Sequence, residues 1–489
     1  MVIMRIGFDN DKYLRMQSEH IRERINKFGG KLYLEFGGKL FDDYHASRVL
    51  PGFAPDSKLQ MLMQLSDQAE IVMVVSADDI EKNKIRGDLG ITYDDDVVRL
   101  MDEFHSKGLY VGSVVLTKYT EQRSAVLFQK RLEKLGVKVY HHYLIPGYPT
   151  NVTSIISEEG FGKNDYIETS RPLVVVTAPG PGSGKMSTCL SQLYHEHKRG
   201  IRAGYAKFET FPIWNLSLDH PVNLAYEAAT ADLNDINIID PFHLKAYGIT
   251  TVNYNRDVEI FPVLNAMFMR IYGESPYASP TDMGVNMVGN CIIDDEACCY
   301  ASRQEIIRRY YEAVVNAATG KGSQEEVNKI QLLMSQEKIS TTDRPTVKPA
   351  LVRAEATCAP AVAIELSDGT LITGKTTALL GASAAALINT LKVLAGIPHE
   401  NKILSPDNIA PIQELKTKYL KSKNPRLHTD EVLIALSATA AHNEDAALAL
   451  TQLPKLKSCQ VHSSVLLSSV DKKTFRKLGC DVTCEPKTN

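Results

Sequence analysis

The stretch Pro172–Glu196 constrains the fold most, because it combines a strand, a glycine turn and a helix in direct succession. Leu173–Thr177 is a short run of apolar, mostly β-branched residues that predicts a buried strand. A turn with three glycines follows and ends at Lys185, and a helix is predicted over Met186–His195. Free backbone N–H groups, the helix dipole and a lysine charge then meet at one point, which favours phosphate binding.

This turn departs from the P-loop pattern G-x-x-x-x-G-K-[ST] at two positions. Gly184 and Lys185 match the pattern, but Pro179 stands in the first glycine position and Met186 replaces the hydroxyl residue that meets Mg²⁺. Ser187 comes one place later, which turns its side chain by about 100° around a helix. If the turn does not support NTP turnover, two alternatives stay open: it binds another anion, or it is a tight turn without a ligand. The predicted phosphate-binding residues of the turn are Gly180, Gly182, Ser183, Gly184, Lys185 and Ser187.

Composition excludes several classes of protein. The chain has 489 residues and a net charge of −3, which argues against nucleic-acid binding. It contains neither a run of 18 apolar residues nor a signal peptide, so no membrane partner is expected. Its eight cysteines are scattered without a C-x-x-C pair, as in reduced cytoplasmic proteins. A cytoplasmic location is therefore expected, and the sequence leaves homo-oligomerisation open.

The first 250 residues alternate between strand-like and helix-like segments, which predicts an α/β fold with a parallel, Rossmann-like sheet. Helices are predicted between the early strands, and one sheet is expected to include strands up to about residue 240. The strand candidates are Lys31–Phe36, Glu70–Val75, Tyr110–Val115, Val139–Leu144, Leu173–Thr177, Ala203–Glu209 and Ile236–Asp240. Residues 1–250 form the first predicted domain, which carries the phosphate-binding turn.

Residues 251–345 form a second, mainly helical predicted domain. Its clearest helices are Ile260–Tyr272 and Arg303–Thr319, and Ser302 with Glu305 predicts a capping box at the start of the latter. The proline-containing segment Thr341–Pro349 predicts a boundary. Residues 346–489 form a third, α/β domain that begins with a hairpin around Asp368-Gly369.

Two acidic residues follow predicted strands and are candidates for catalysis. Glu209 ends the strand after the phosphate-loop helix, and Asp240 ends the next one. Because ligand groups gather at the carboxyl ends of parallel strands, both are expected to hold Mg²⁺ or to orient an attacking group. The alternative is that both are ordinary polar strand ends.

A second cluster of anion-binding residue types lies in the third predicted domain. Lys375, Thr376 and Thr377 follow a strand and precede a helix, so that a lysine, hydroxyls and N–H groups converge. We expect these residues to bind phosphate and to share one ligand with Lys185. The alternative is that these three residues are ordinary polar residues at the end of a strand.

Several segments together resemble the bacterial family called domain of unknown function 1846, over nearly the whole chain. The segments are Arg171–Ser187, Asn223–Asp235, Ser279–Asn286 and Asp368–Thr377. The resemblance implies a Rossmann-like part, a helical part and a C-terminal three-layer α/β/α part with the topology of cytidine deaminases. The deaminase zinc signature, H-x-E with P-C-x-x-C, is absent, so deaminase chemistry is not implied and neither zinc nor flavin is expected.

The turn is also similar to the altered P-loops of ATP-using synthetases such as dethiobiotin synthetase and CTP synthase. These enzymes place a lysine- and acid-bearing strand after the loop helix, as Lys207-Phe-Glu209 is placed here. The sequence therefore predicts an enzyme that binds a nucleotide or a small phosphorylated molecule, with ATP and Mg²⁺ as cofactors. Phosphoryl transfer or ATP-driven ligation is expected, with Lys185, Glu209 and Asp240 as catalytic residues. A phosphohydrolase or phosphodiesterase and a non-catalytic metabolite sensor or scaffold are the alternatives.

Overall fold

The computed structural model describes residues 5–37, 40–41, 43–86, 90–233 and 235–487. Their contacts group into two compact units. The N-terminal unit comprises Gly7–Glu227 and the stretch that ends at Cys298. The C-terminal unit consists mainly of the chain from Cys299 onward. None of the helices within the described ranges combines the length and apolar character needed to cross a membrane.

The strands of the described residues are short, as is usual in α/β proteins. They are β1 Leu32–Phe36, β2 Ala69–Ser76, β3 Ile85–Arg86, β4 Ile91–Thr92, β5 Tyr110–Thr117, β6 Lys138–His141, β7 Leu173–Thr177, β8 Gly204–Phe208, β9 Asn237–Ile239, β10 Val252–Tyr254, β11 Gly284–Val285, β12 Ala361–Glu365, β13 Leu371–Lys375, β14 Gln460–Ser463 and β15 Asp481–Cys484.

Helices connect most of these strands. They are α1 Asn10–Lys27, α2 Tyr44–Val49, α3 Ser57–Met63, α4 Ala77–Glu81, α5 Tyr93–Ser106, α6 Arg123–Lys134, α7 Val152–Ile155, α8 Lys185–Lys198, α9 Pro221–Ala229, α10 Pro241–Tyr247, α11 Asn255–Tyr272, α12 Pro280–Met283, α13 Asp295–Ala318, α14 Gln324–Gln336, α15 Val347–Thr357, α16 Ala382–Leu394, α17 Pro406–Glu414, α18 Thr429–Ala440, α19 Glu444–Leu450 and α20 Ser469–Lys477.

A seven-stranded sheet forms the centre of the N-terminal unit, in the order β11-β8-β1-β7-β2-β5-β6. Its neighbouring strands all pair in parallel. Every residue of β1, β2 and β7 is buried, as expected for a parallel sheet that helices cover on both faces. The predicted α/β fold with a parallel, Rossmann-like sheet is confirmed for this unit.

The prediction that Ile236–Asp240 forms a strand of the large sheet is wrong. Its ordered part, β9, pairs antiparallel with β10 in a separate two-stranded sheet. The neighbouring position along β8 is occupied by β11, which joins the large sheet from a loop much later in the chain. The physical reason is that β11 already fills the position beside β8, so the backbone groups of β9 find their hydrogen-bond partners on β10.

The C-terminal unit contains a mixed four-stranded sheet in the order β13-β12-β14-β15. Only β14 and β15 pair in parallel. Val362 and Ile364 belong to a hydrophobic core shared with α16, and His462 contacts Tyr311 of α13 at a ring distance of 4.9 Å. The hairpin around Gly369, whose φ is 82°, is confirmed. The topology of cytidine deaminases stays a prediction.

The predicted capping box at Ser302 is wrong. Helix α13 begins at Asp295, where the Asp294 carboxylate accepts a hydrogen bond from the Ala297 N–H at 3.1 Å. Ser302 therefore lies buried inside the helix, and Glu305 pairs with Arg308 at 2.6 Å. The acids before Ala297 already complement the helix dipole, so the helix starts there.

The predicted middle domain, residues 251–345, is divided between the two compact units. Helices α11 and α12 belong to the N-terminal unit, whereas α14 belongs to the C-terminal unit. The predicted boundary segment is also packed, because Arg344 is only 1% exposed and α15 begins at Val347. The three predicted domain ranges stay a prediction.

Candidate functional site

The glycine turn follows the central strand β7, at the carboxyl edge of the large sheet. From β7 the chain continues to β8 on one side, while from the neighbouring β2 it continues to β5 on the other. Connections that leave adjacent strands in opposite directions open a crevice, and ligands of open α/β sheets bind there. The turn is therefore placed where such folds hold their ligands.

Close packing shapes this turn. A Cβ at Gly180 would lie 2.3 Å from the Tyr93 hydroxyl, so a larger residue would force the turn or the Tyr93 ring to move. Gly182 and Gly184 adopt positive φ angles of 74° and 93°, which glycine takes at little cost. The Ser183 hydroxyl donates to the Gly180 carbonyl at 2.7 Å, so it stabilises the turn itself.

The amino end of α8 is open to an anion. Gly184 caps the helix without a side-chain hydrogen bond. No acceptor among the described residues takes the N–H groups of Lys185, Met186 or Ser187, and the Lys185 ammonium forms no ion pair within the same ranges. Three backbone donors, the dipole of a 14-residue helix and an unpaired lysine therefore meet in one place.

A second group of charged residues lies at the end of β8. The Lys207 ammonium lies 2.9 Å from Glu209 Oε1 and forms an ion pair with Asp257 in the first turn of α11. It also lies 5.1 Å from the ring centre of Tyr254. Lys207 pairs in register with Glu35 on the neighbouring strand β1. The Glu35 carboxylate is therefore a third acidic group at the same edge of the sheet.

Burial perturbs both members of the Lys207–Glu209 pair. Burial raises the pKa of Glu209 to about 8; Lys207 opposes this shift and Asp257 adds to it. Burial alone would lower the pKa of Lys207, but Asp257, Glu209 and Glu35 outweigh it and raise that pKa. Lys207 therefore stays charged, whereas Glu209 exchanges a proton near neutral pH.

A cleft of about 580 Å³ lies beside Lys207 and reaches Met186 at the start of α8; neither Lys185 nor Glu209 is among its lining residues. Its wall includes Met186, the residue directly after Lys185, together with Lys207 and Asp257. The remaining lining residues are Thr150, Tyr226, Asp235, Tyr254, Arg256, Glu259, Ile260 and Val263. The cleft is large enough for a small phosphorylated molecule.

Ser187, the last predicted residue of the turn, has a phenol beside it. Burial raises the pKa of Tyr148 to about 12, and the nearby Ser187 hydroxyl opposes this shift. Ser187 itself is half-buried. The hydroxyl that sequence reasoning placed near a phosphate therefore lies at the start of α8, beside a tyrosine.

Asp240 has a different environment from Glu209. Its Oδ1 accepts hydrogen bonds from the N–H groups of Phe242 and His243, both at 3.0 Å. Its Oδ2 accepts from the N–H and the hydroxyl of Thr281, at 3.2 and 2.6 Å. The carboxylate caps α10 and is not among the lining residues of the cleft. Since all four bonds hold it in place, a Mg²⁺ ion shared with Glu209 would have to replace some of them.

The second lysine cluster belongs to the C-terminal unit. The Thr377 hydroxyl accepts hydrogen bonds from the N–H groups of Leu379 and Leu380, at 3.2 and 3.0 Å, so it builds a turn. The Thr376 N–H donates to the Pro360 carbonyl at 2.8 Å. Lys375 makes no ion pair with any residue that the structure describes. A ligand shared by Lys185 and Lys375 stays a prediction.

Sequence reasoning missed three residues around Lys207, two of which line the cleft. Asp257 and Tyr254 flank the start of α11, and no motif connects them to the glycine turn in sequence. Glu35 lies near the end of the apolar strand β1, and the only sequence signal for it was a single acidic residue in that strand. Parallel pairing and helix packing alone bring these groups to Lys207.

The fold defines a class: α/β proteins with a parallel sheet and a glycine turn that leads from a central strand into a helix. Within that class, the chain belongs to the family described as domain of unknown function DUF1846. The N-terminal family model matches residues 6–338, and the C-terminal model matches residues 342–489.

Bacterial relatives cover nearly the entire chain. A UPF0371 protein of Corynebacterium aurimucosum is 60% identical over 482 residues, which are 98% of this chain and 97% of the relative. A UPF0371 protein of Streptococcus sanguinis is 58% identical over 482 residues, which are 99% and 98% of the two chains. The resemblance to this family is thereby confirmed.

Proposed function

We propose that the N-terminal unit is an enzyme that binds a nucleotide or a small phosphorylated molecule and catalyses phosphoryl transfer or ATP-driven ligation. The observation that carries the proposal is the open amino end of α8 beside the unpaired Lys185, at the edge of a cleft of about 580 Å³. A phosphate at this helix end would accept hydrogen bonds from the N–H groups of Lys185–Ser187 and pair with the Lys185 ammonium.

The charged group at the end of β8 would supply the chemistry. Glu209 would take a proton from the attacking hydroxyl or amine, because its raised pKa suits a general base near neutral pH. Lys207 would stay protonated and neutralise negative charge that develops on the transferred phosphoryl group. Positioning and charge neutralisation provide most of the catalysis in this reaction class.

ATP is the first nucleotide to test. Mg²⁺ would accompany it as the counterion of its phosphates, and we route no step through a metal ion held by Glu209 and Asp240, because four hydrogen bonds already engage Asp240. We also propose a cytoplasmic location, which is supported by eight cysteines that are scattered without a C-x-x-C pair.

The proposal is tested by calorimetric titration of the full chain with inorganic phosphate and with ATP. Wild-type protein should bind at least one of them, and Lys185→Ala should weaken that binding about tenfold, which corresponds to about 1.4 kcal/mol. Lys134→Ala, at an exposed position near the end of α6, is the matched control and should leave the affinity unchanged. Equal affinity in Lys185→Ala and wild type would remove the turn from the site.

A phosphohydrolase is the second candidate, and Met186 favours it. Met186 stands at the cleft where a P-loop carries the hydroxyl for the nucleotide's Mg²⁺. A hydrolase of a small phosphate ester needs the same anion site without a nucleotide. Release of phosphate from small esters with no ATP binding would support this candidate over the transferase or ligase.

A further inference from the structure

The start of α16, in the C-terminal unit, carries backbone donors without acceptors. Gly381 caps this 13-residue helix without a side-chain hydrogen bond, and the first turn contains no acidic residue. The N–H groups of Ala382, Ser383 and Ala384 meet no acceptor among the residues that the structure describes. All three residues are buried. Buried N–H groups without a partner cost free energy, so an acceptor that comes from outside the chain is favoured here.

A buried hydroxyl belongs to the same helix end. Ser383 is the second residue of α16 and is only 4% exposed. Its hydroxyl has no hydrogen-bond partner within the described ranges, yet its oxygen is not among the atoms that the protein encloses completely. Because the side chains of a helix lean towards its amino end, this hydroxyl is directed to the place where the free N–H groups lie. The start of α16 therefore offers a hydroxyl donor together with three N–H groups.

An arginine lies beside this helix end. Leu427 pairs in parallel with Leu380, and its carbonyl accepts a hydrogen bond from the Gly381 N–H at 3.1 Å. The preceding residue, Arg426, donates from Nε to the Thr377 carbonyl at 2.8 Å, which holds its guanidinium beside the segment that leads into α16. Arg426 forms no ion pair in the part of the chain that the structure describes. Its remaining N–H groups are therefore available to an anion, and a guanidinium suits the two oxygens of a phosphate.

The neighbouring helix α18 shows how side chains fill a helix start. The Thr429 N–H donates to Asp471 Oδ1 at 2.9 Å, and the Glu431 N–H donates to Asp430 Oδ1 at 2.8 Å. These carboxylates offset the dipole of α18. The first turn of α16 has no acidic residue of its own, so its positive potential is left for a ligand.

We infer that the start of α16 is a second binding site of this protein, which takes the phosphate group of a small molecule. The phosphate accepts hydrogen bonds from the N–H groups of the first turn and from the Ser383 hydroxyl, and it pairs with Arg426. Since the residues of this turn are buried, only a compact group reaches their N–H groups. The site requires neither Lys185 nor the cleft beside α8, so the inference stands independently of the proposed function.

The test is calorimetric titration of the full chain with inorganic phosphate in a Lys185→Ala background, which weakens the site proposed at α8. This protein should still bind phosphate. Adding Arg426→Gln should weaken the binding about tenfold, which corresponds to about 1.4 kcal/mol. Adding Ser383→Ala should weaken it about threefold, as expected for the loss of one neutral hydrogen bond. Arg353→Gln on α15 and Ser335→Ala on α14, both at exposed positions, are the matched controls and should leave the affinity unchanged.

The outcomes separate this site from the one at α8. Absence of phosphate binding in Lys185→Ala, or binding there that neither Arg426→Gln nor Ser383→Ala weakens, would overturn the inference. If Lys185→Ala binds phosphate as tightly as wild type and Arg426→Gln weakens that binding, the site at α16 stands and the one at α8 fails. Thermal unfolding without phosphate checks the fold of each variant, and the half-buried Arg426 decides the test if Ser383→Ala does not fold.

Discussion

The Lys207 ammonium lies 2.9 Å from Glu209 Oε1, at the end of the same buried strand. The two side chains are two residues apart, so both point to one face of the sheet. That face also receives Glu35 from the neighbouring strand, and Asp257 approaches from α11. The buried Lys207 charge depends most on Asp257, because an uncompensated buried charge is strongly destabilising.

Replacing Glu209 by Gln should change how stability depends on pH. Burial raises the pKa of Glu209 to about 8 in the folded chain, above its value in the unfolded chain. The folded state therefore binds the proton more tightly, and this contribution to stability is complete below the unfolded pKa and lost as pH rises towards 8. Glu209→Gln keeps the neutral form at every pH.

We expect the free energy of unfolding of Glu209→Gln to increase relative to wild type between about pH 5 and pH 8. The slope should be at most about 1.4 kcal/mol per pH unit. Urea unfolding at several pH values measures it. A difference that stays constant across this range would show that Glu209 titrates normally.

Asp240→Ala should reduce stability and leave phosphate affinity unchanged. The substitution removes two hydrogen bonds from N–H groups at the start of α10 and two more from the N–H and the hydroxyl of Thr281. Loss of an N-cap side chain costs about 0.5–2 kcal/mol, and the buried Thr281 hydroxyl adds about 1–3 kcal/mol.

Thermal unfolding and phosphate titration together test this role of Asp240. Asn443→Ala, which removes one capping bond at the start of α19, is the comparison and should cost less. A folded Asp240→Asn variant that loses phosphate binding or turnover would restore Asp240 to the candidate catalytic residues.

Gly180→Ala should disturb the glycine turn through Tyr93. The added Cβ would lie 2.3 Å from the Tyr93 hydroxyl, so the turn or the ring has to move. We expect weaker phosphate binding and a loss of about 1–3 kcal/mol of stability, as for other overpacked positions.

A double-mutant cycle with Tyr93→Ala checks that cause. If the clash is responsible, the second substitution should recover much of the loss, and the two effects should be non-additive. Gly182→Ala is the matched comparison: its Cβ meets nothing within 4 Å, so its cost should come only from the φ angle of 74°. Additive effects of Gly180→Ala and Tyr93→Ala would exclude the clash.

His428 in the C-terminal unit should make stability depend on pH in a range that differs from that of Glu209. Its Nδ1 lies 3.1 Å from Asp471 Oδ2, and this hydrogen bond raises the pKa of His428. The carboxylate of Glu431 adds to the shift, while partial burial and the charge of Lys416 oppose it. The pair therefore stabilises the fold below the unfolded pKa of the histidine, and the contribution is lost as pH rises through the folded pKa.

Unfolding of wild type and His428→Gln at about pH 6 and pH 8 measures this contribution. The free energy of unfolding of wild type should exceed that of His428→Gln by a larger amount at the lower pH. Because the ring is partly exposed, this increase should be at most about 1 kcal/mol. Asp471→Asn should remove the same pH dependence. An equal difference at both pH values would show that folding does not shift the pKa of His428.

The sequence by itself determined the elements that local patterns encode. The strand Leu173–Thr177 was predicted with the bounds that the structure has, and the glycine turn and the helix after it were located because turn chemistry and apolar periodicity are local. The alternation of strands and helices was sufficient to predict a parallel sheet. Local patterns failed at Ser302, where the residues resemble a capping box although the helix begins earlier.

Tertiary structure alone decided which of these elements meet. Pairing along β8 brought β11 to the sheet and left β9 outside, and it left Asp240 as the cap of α10. Packing of α11 brought Asp257 to Lys207, and burial among these charges shifted the pKa of Glu209. Such shifts depend on distances and solvent exclusion between residues far apart in the chain, and a linear pattern carries neither.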